Sequence, residues 1–230
     1  MSMKIPQYLA MTAAQFLSVA EKPPHCAWMS CHFSPWGKDL SNLPTTMPPD
    51  SILILDDQFP PNGHDPERIG LQLTDCMQRM NCRGLLLDFQ RPANQETSDI
   101  ARKLTTLPFP VCVSDVYAEG LSCPVFVPPC SVNKSIREHL APWQGREIWL
   151  ETEYASLCFV ITKDGCQVTE HDGSGPFLHR DPDLHTRYRI EITEEKAVLS
   201  LYRSREDQQE LLREAIALGV TGTVEVYHAI

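Results

Sequence analysis

RGLLLDFQRP, Arg83 to Pro92, is an apolar run that stops at Asp88 and Gln90 and is closed by Pro92. Its hydrophobicity is continuous rather than alternating, the pattern of a strand covered on both faces, as in a parallel sheet with helices outside. Polar side chains at the C-terminal end of such a strand stand where parallel α/β folds meet their ligands. The stretch therefore raises the questions of fold and of site together.

Working outward, six further runs share its character: CAWMSCHF (26–33), SILILDD (51–57), PVCVSD (110–115), CPVFVPP (123–129), EIWLETE (147–153) and TGTVEVYH (221–228). Helical stretches separate several of them. DPERIGLQLTDCMQRMN offers Asp65 as N-cap, Pro66 at the first helical position, and Ile69, Leu73, Cys76, Met77 and Met80 at helical spacing. NQETSDIARKLTTL has the same character, and SREDQQELLREAIALG runs from an N-capping Ser204 to Gly219. Strand, helix and parallel strand in alternation predict a compact or incomplete (β/α)8 barrel of the TIM type, one domain over 1–230, with an open doubly wound sheet as the alternative. The region from about 156 to 203 departs from the pattern. Its strand-like runs flank Lys163-Asp164-Gly165 and Glu194-Glu195 and predict two hairpins, a small antiparallel elaboration before the last strand. The final run of the second hairpin serves equally well as a barrel strand.

Composition narrows the function classes. The net charge is −10, from 20 basic and 30 acidic residues, and no cluster of Lys and Arg provides a phosphate-binding surface, so nucleic acid and anionic membranes are not expected partners. The N-terminal MSMKIPQYLAMTAAQFLSVAEKPP reads as a helix of the mature protein, because Gln7 and Gln15 interrupt its apolar stretch. Nine cysteines, several inside apolar runs, indicate reduced thiols and a cytoplasmic setting. The spacings of Cys26 with Cys31 and Cys76 with Cys82 lack CxxC partners, so no metal and no cofactor is expected. Gly173 and Gly175 lead into no helix after a strand, which leaves no dinucleotide fingerprint.

In a barrel the chemistry gathers at the C-terminal strand ends, here His32, Asp56, Asp57, Asp88, Gln90, Ser114, Asp115, Glu151 and Glu153. Acids also cap helices and solvate loops, and about half of these have that plainer role. If the mouth holds a sugar, pyranose rings need aromatic faces, and Trp28, Trp36, Trp149, Phe33 and Tyr117 are the candidates.

The opening stretch resembles the fourth strand of the family 18 glycoside hydrolases, the chitinase-like barrels, which carries D-G-x-D-x-D-x-E. Laid on that motif, Gly84, Asp88 and the aromatic Phe89 match, whereas Arg83 and Leu86 replace two acids and Gln90 replaces the final glutamate. The closing segment AVLSLYRSREDQQELLREAIALGVTGTVEVYH resembles that family's last strand and helix, especially in its spore-associated branch. Gly219 and Gly222 fit its G-x-x-G-x-x-x-W, with Val226 in place of the tryptophan and Tyr227 one residue on. The hairpin region is similar to the α+β insertion that many members carry before the last strand.

The resemblance implies that the final glutamate protonates the glycosidic oxygen while the substrate's acetamido group attacks, oriented by the neighbouring aspartate. An amide has no proton of useful acidity, and loss of a general acid typically forfeits about 10² to 10⁴ in rate. The expectation is a catalytically impaired barrel that binds an oligosaccharide or serves as a scaffold. Asp88, Gln90 and Glu151 are its candidate catalytic residues, with Trp28, Asp56, Asp115, Tyr117 and Trp149 around the ligand. Two alternatives stand beside it: a hydrolase of N-acetylglucosamine-type glycans that uses Glu151 or Glu153, and an interaction or assembly protein with an exposed apolar patch away from the mouth.

Overall fold

The structure is a computed structural model and describes residues 5–153, 156–170 and 179–227. In chain order the elements are β1 (Gln7–Met11), α1 (Ala13–Ser18), β2 (Cys26–Phe33), β3 (Leu40–Ser41), β4 (Ile52–Asp56), α2 (Pro66–Met80), β5 (Gly84–Asp88), α3 (Gln95–Leu104), β6 (Val111–Ser114) and β7 (Val125–Val127). They continue with α4 (Ile136–Leu140), β8 (Ile148–Thr152), β9 (Ser156–Thr162), β10 (Gly165–Glu170), β11 (His179–Asp181), β12 (Thr186–Ile192), β13 (Lys196–Tyr202), α5 (Arg205–Ala217) and β14 (Val220–Val226).

The chain divides into two units, of which the first comprises 1–128, 146–152 and 220–230. Its strands run in the order β1, β14, β8, β7, β6, β5, β4, β2, and β1 pairs with β2 to close the ring. These eight are parallel, and β3 adds an antiparallel edge to β2. The seven runs read from the sequence are all barrel strands. The eighth, β1, lies in the N-terminal stretch read as a helix, so that reading is corrected. Gln7–Met11 is a strand, and only Ala13–Ser18 is helical. The boundary is chemical: Thr12 and Gln15 form a capping box that starts the helix at residue 13.

Side chains alternate between two cores. Tyr8, Ala10, Ala27, Ile52, Ile54, Leu86, Cys112, Phe126 and Val224 fill the barrel interior. Leu53, Leu55, Leu85, Leu87, Val111 and Val113 point outward onto Ile69, Leu73 and Met77 of α2 and Ile100, Ala101 and Leu104 of α3. Each buried Leu or Ile there contributes about 1.5 to 3 kcal/mol relative to exposure. The Asp65 side chain accepts from the Glu67 amide at the start of α2, and Asn94 accepts from Thr97 at the start of α3.

The second unit, 129–145 with 153–219, carries the antiparallel sheet in the order β10, β9, β13, β12, β11 together with α4 and α5. Both predicted hairpins are present, β9 with β10 and β12 with β13. The run that served equally as a barrel strand, β13, pairs with β9 and β12 in this sheet. Sequence reading missed its buried polar centre. Arg203, 1% exposed, donates to the carbonyls of Cys130 (2.6 Å), Ser131 (3.2 Å) and Leu184 (3.0 Å). Asp207, also 1% exposed, accepts from Arg180 (2.8 Å), Arg187 (2.7 Å) and Ser204 (2.6 Å). Among the described residues, no helix is long and apolar enough to cross a membrane. Gly173 and Gly175 lie outside the described residues.

Candidate functional site

RGLLLDFQRP contributes β5, the fourth barrel strand counted from the N-terminus, and Asp88 is its last residue. Because side chains alternate, the inward-facing Leu86 places Asp88 on the inner face as well. On β4, the inward-facing Ile52 and Ile54 do the same for Asp56, and Asp56 pairs with Asp88 in register. One strand further round, His32 of β2 pairs with Asp56. His32 arrives there through an irregularity between Trp28 and Cys31, where one extra residue turns Cys31 outward and His32 inward. The rim therefore carries His32, Asp56 and Asp88 side by side. Glu151, two residues beyond the inward-facing Trp149 of β8, shares the inner face.

Asp88 and Asp56 stand in an environment that disfavours their charge. Burial pushes Asp88 above the usual carboxylate range, the hydrogen bond from Gln90 draws it back in part, and the charges of Asp57 and Asp115 add to the rise. Burial also raises Asp56, against the pull of the Gln58 amide and His32, with Asp88 and Asp57 adding repulsion. Neighbouring carboxyls that are both raised mark this rim as a candidate functional site.

The remainder of the stretch is held by structural contacts. Asp57 is buried and accepts the backbone amides of Gln90 (2.9 Å) and Arg91 (3.0 Å), and Arg91 Nε returns a bond to the Asp57 carbonyl (2.7 Å). Ser114 donates to the Phe89 carbonyl at 2.7 Å. Gln90 itself is exposed, and its Nε2 donates to Asp88 Oδ1 at 2.5 Å. Asp115 opens a short 3₁₀ turn directly after β6, at the same end of the barrel.

The aromatic candidates separate sharply. Trp28 is buried in the outer core, its indole donating to the Asn42 carbonyl at 2.9 Å and its ring edge-on to Phe16, so it is not a mouth residue. Tyr117 is likewise buried, edge-on to Phe89 with its hydroxyl on the Pro92 carbonyl, and Phe33 is fully buried. Trp149 lies at the opposite end. It stacks on Tyr8 at 5.5 Å and lines a cavity of about 420 Å³ with Ile52, Arg83, Gly84, Glu147 and Thr221, all at the N-terminal ends of strands. Trp28, Tyr117 and Trp149, expected around the ligand, and Phe33, the fourth aromatic candidate, are core or base residues. Trp36, in the loop that leaves β2, is 94% exposed, and Phe59 after β4 lies edge-on to His32 at 5.3 Å. The latter was missed, because nothing in FPPNG announces that it reaches back to the rim. Glu153 lies just past the end of β8 and is exposed. Val226, where the resemblance places a tryptophan, continues the inward face of Val224, whereas Tyr227 packs with the outer core.

No protein-family model and no curated protein sequence matches the chain. Solved structures do match its fold. The chitinase-like agglutinin of Robinia pseudoacacia superposes with a TM-score of 0.60 at 11% identity, covering 96% of this chain and 94% of that one. The spore cortex-lytic enzyme SleL of Bacillus cereus gives 0.57 at 11%, over 96% and 70%. A glutamate-to-glutamine variant of class V chitinase from Nicotiana tobaccum, solved with NAG4, gives 0.57 at 8%, over 96% and 93%. At such identities the likeness is one of fold, and the fold is that of the family 18 chitinase-like barrels.

Proposed function

We propose that this chain, built on the chitinase-like barrel, binds N-acetylglucosamine-type oligosaccharides at the rim of His32, Asp56 and Asp88 without hydrolysing them efficiently. The observation that carries this reading is the side chain of Gln90. An amide stands two residues beyond Asp88 and points its N–H at that carboxylate. Such a pair offers donors and acceptors for hydroxyl and acetamido groups and no proton of useful acidity. Two of the compared folds support it by analogy: one is an agglutinin, and the other holds a tetrasaccharide with a glutamate exchanged for glutamine. Trp36 and Phe59 supply the apolar faces that pyranose rings need.

A hydrolase that works through Glu151 is the second reading, favoured by its place on the inner face of β8. Isothermal calorimetry with chitotetraose, alongside product analysis after long incubation, separates the two. Binding with a Kd in the micromolar to millimolar range, weakened by Asp88→Asn and by Trp36→Ala, with no shortened products, is the expected result. Cleavage that survives Asp88→Asn and disappears in Glu151→Gln would move the chemistry to β8 and refute the proposal.

A further inference from the structure

One face of the antiparallel sheet of the second unit carries two adjacent rows that are wholly apolar. Cross-strand partners point to the same side of a sheet, so the register defines the rows. One row runs Cys166, Ile161, Ala197, Ile192 across β10, β9, β13 and β12, and the next runs Val168, Phe159, Leu199, Ile190. A third includes Leu157, Leu201 and Tyr188. The first two rows contain no charged residue, yet Ile161 is 47%, Val168 54%, Ile190 55% and Ile192 78% exposed. The opposite face is tied to α5, where Arg187 meets Asp207, and buries Cys158 and Ser200. A sheet with one face covered and the other apolar is half of a sandwich.

We infer that this face is the contact between two copies of the chain, packed sheet on sheet about a two-fold axis that runs along the strands between β9 and β13. Size and shape both point to a second copy. The exposed fractions place on the order of 600 Å² of accessible surface on the face, so a two-fold pair would bury roughly 1,200 Å², the lower bound of specific interfaces. The net charge of −10 on each copy opposes association at long range, and the two uncharged rows add no like-charge contact to that repulsion. Such an axis also reverses the order of each row. In the first row small and large alternate, so reversal sets Cys166 over the partner subunit's Ile192 and Ile161 over the partner subunit's Ala197, small against large throughout. That is the self-complementarity an isologous contact requires.

The inference is independent of any sugar site. Sedimentation velocity on the full chain from 1 to 200 μM tests it. Wild type should pass from monomer to dimer within this concentration range. Ile190→Lys combined with Ile192→Lys should stay monomeric at every concentration, whereas Leu71→Lys, at an equally exposed leucine on α2, should dimerise as wild type does. Alkylation of Cys166 provides a readout that needs no variant, since its rate should fall several-fold as the chain dimerises. A wild type that is monomeric throughout, a dimer indifferent to the double substitution, open-ended aggregation in place of a closed pair, or an alkylation rate independent of concentration would each overturn the inference.

Discussion

Gln90 Nε2 donates to Asp88 Oδ1 at 2.5 Å, so the two polar residues that end the fourth barrel strand satisfy each other across the rim. The amide favours the ionised form of a carboxyl that burial pushes above the usual aspartate range. Gln90→Glu replaces this donor with a second acid. Two carboxyls so close share a proton, as paired carboxyls do when both cannot ionise. Gln90→Glu is therefore expected to restore little cleavage of chitotetraose, because Leu86 supplies no supporting acid and Val226 no aromatic floor. Recovery to within tenfold of an ordinary chitinase, measured by released reducing ends, would show that the amide alone disables the site.

The raised positions of Asp56 and Asp88 make a statement about stability. A carboxyl whose folded pKa lies above its unfolded value favours folding below the ordinary aspartate range, and that contribution is lost as pH rises through the folded value. At pH 7 both residues are thus a burden on the barrel. Asp88→Asn should raise stability at pH 7 by on the order of 1 kcal/mol, as functional-site substitutions often do. The gain, read as a Tm difference of roughly 2 to 4 °C, should shrink as the pH is lowered into the range where Asp88 protonates. A destabilised Asp88→Asn at neutral pH would mean that the carboxylate holds the rim together.

How much of this was legible in the sequence depended on whether a feature is local. The seven runs announced themselves because a strand covered on both faces must be continuously apolar. β1 hid because its apolar residues run directly into those of α1, giving one stretch with a helical look, and only Thr12 with Gln15 marked the seam. The rim acids could be named from strand ends, whereas their direction could not. Asp56 faces in and its neighbour Asp57 is spent on the Gln90 and Arg91 amides, a distinction fixed by register. The aromatics failed for a related reason, since Trp28 and Tyr117 are covered by segments distant in sequence.

The thiols give a test of the cellular setting. All nine cysteines are free, seven are buried, and Cys166 is exposed. Burial pushes Cys82 up to about 12 and Cys26 to about 11, which leaves almost no thiolate to react at neutral pH. Native alkylation at low protein concentration should therefore modify Cys166 first and leave the buried seven untouched. Under denaturing, non-reducing conditions close to nine thiols should be titrated. Recovery of only one or three would argue for disulfides and against the cytoplasmic setting proposed for this chain.

The base of the barrel depends on one missing side chain. A Cβ built on Gly222 would lie 2.9 Å from Trp149 Cε2 and 3.0 Å from Cδ2, closer than such atoms approach one another. The ring cannot retreat freely, since Tyr8 stacks on its plane at 5.5 Å. Gly222 does not sit in the left-handed region, so its role is space for the indole rather than backbone freedom. Gly222→Ala is expected to cost about 1 to 3 kcal/mol, the range for an inserted methyl that forces a packed side chain to shift, measured by urea denaturation. Trp149→Leu should cost a similar amount by leaving a void. If the clash is the cause, the double variant should be more stable than the sum of the two losses predicts, because the added methyl then occupies part of the space the indole vacates. Strict additivity would place the cost of Gly222→Ala in the β14 backbone instead.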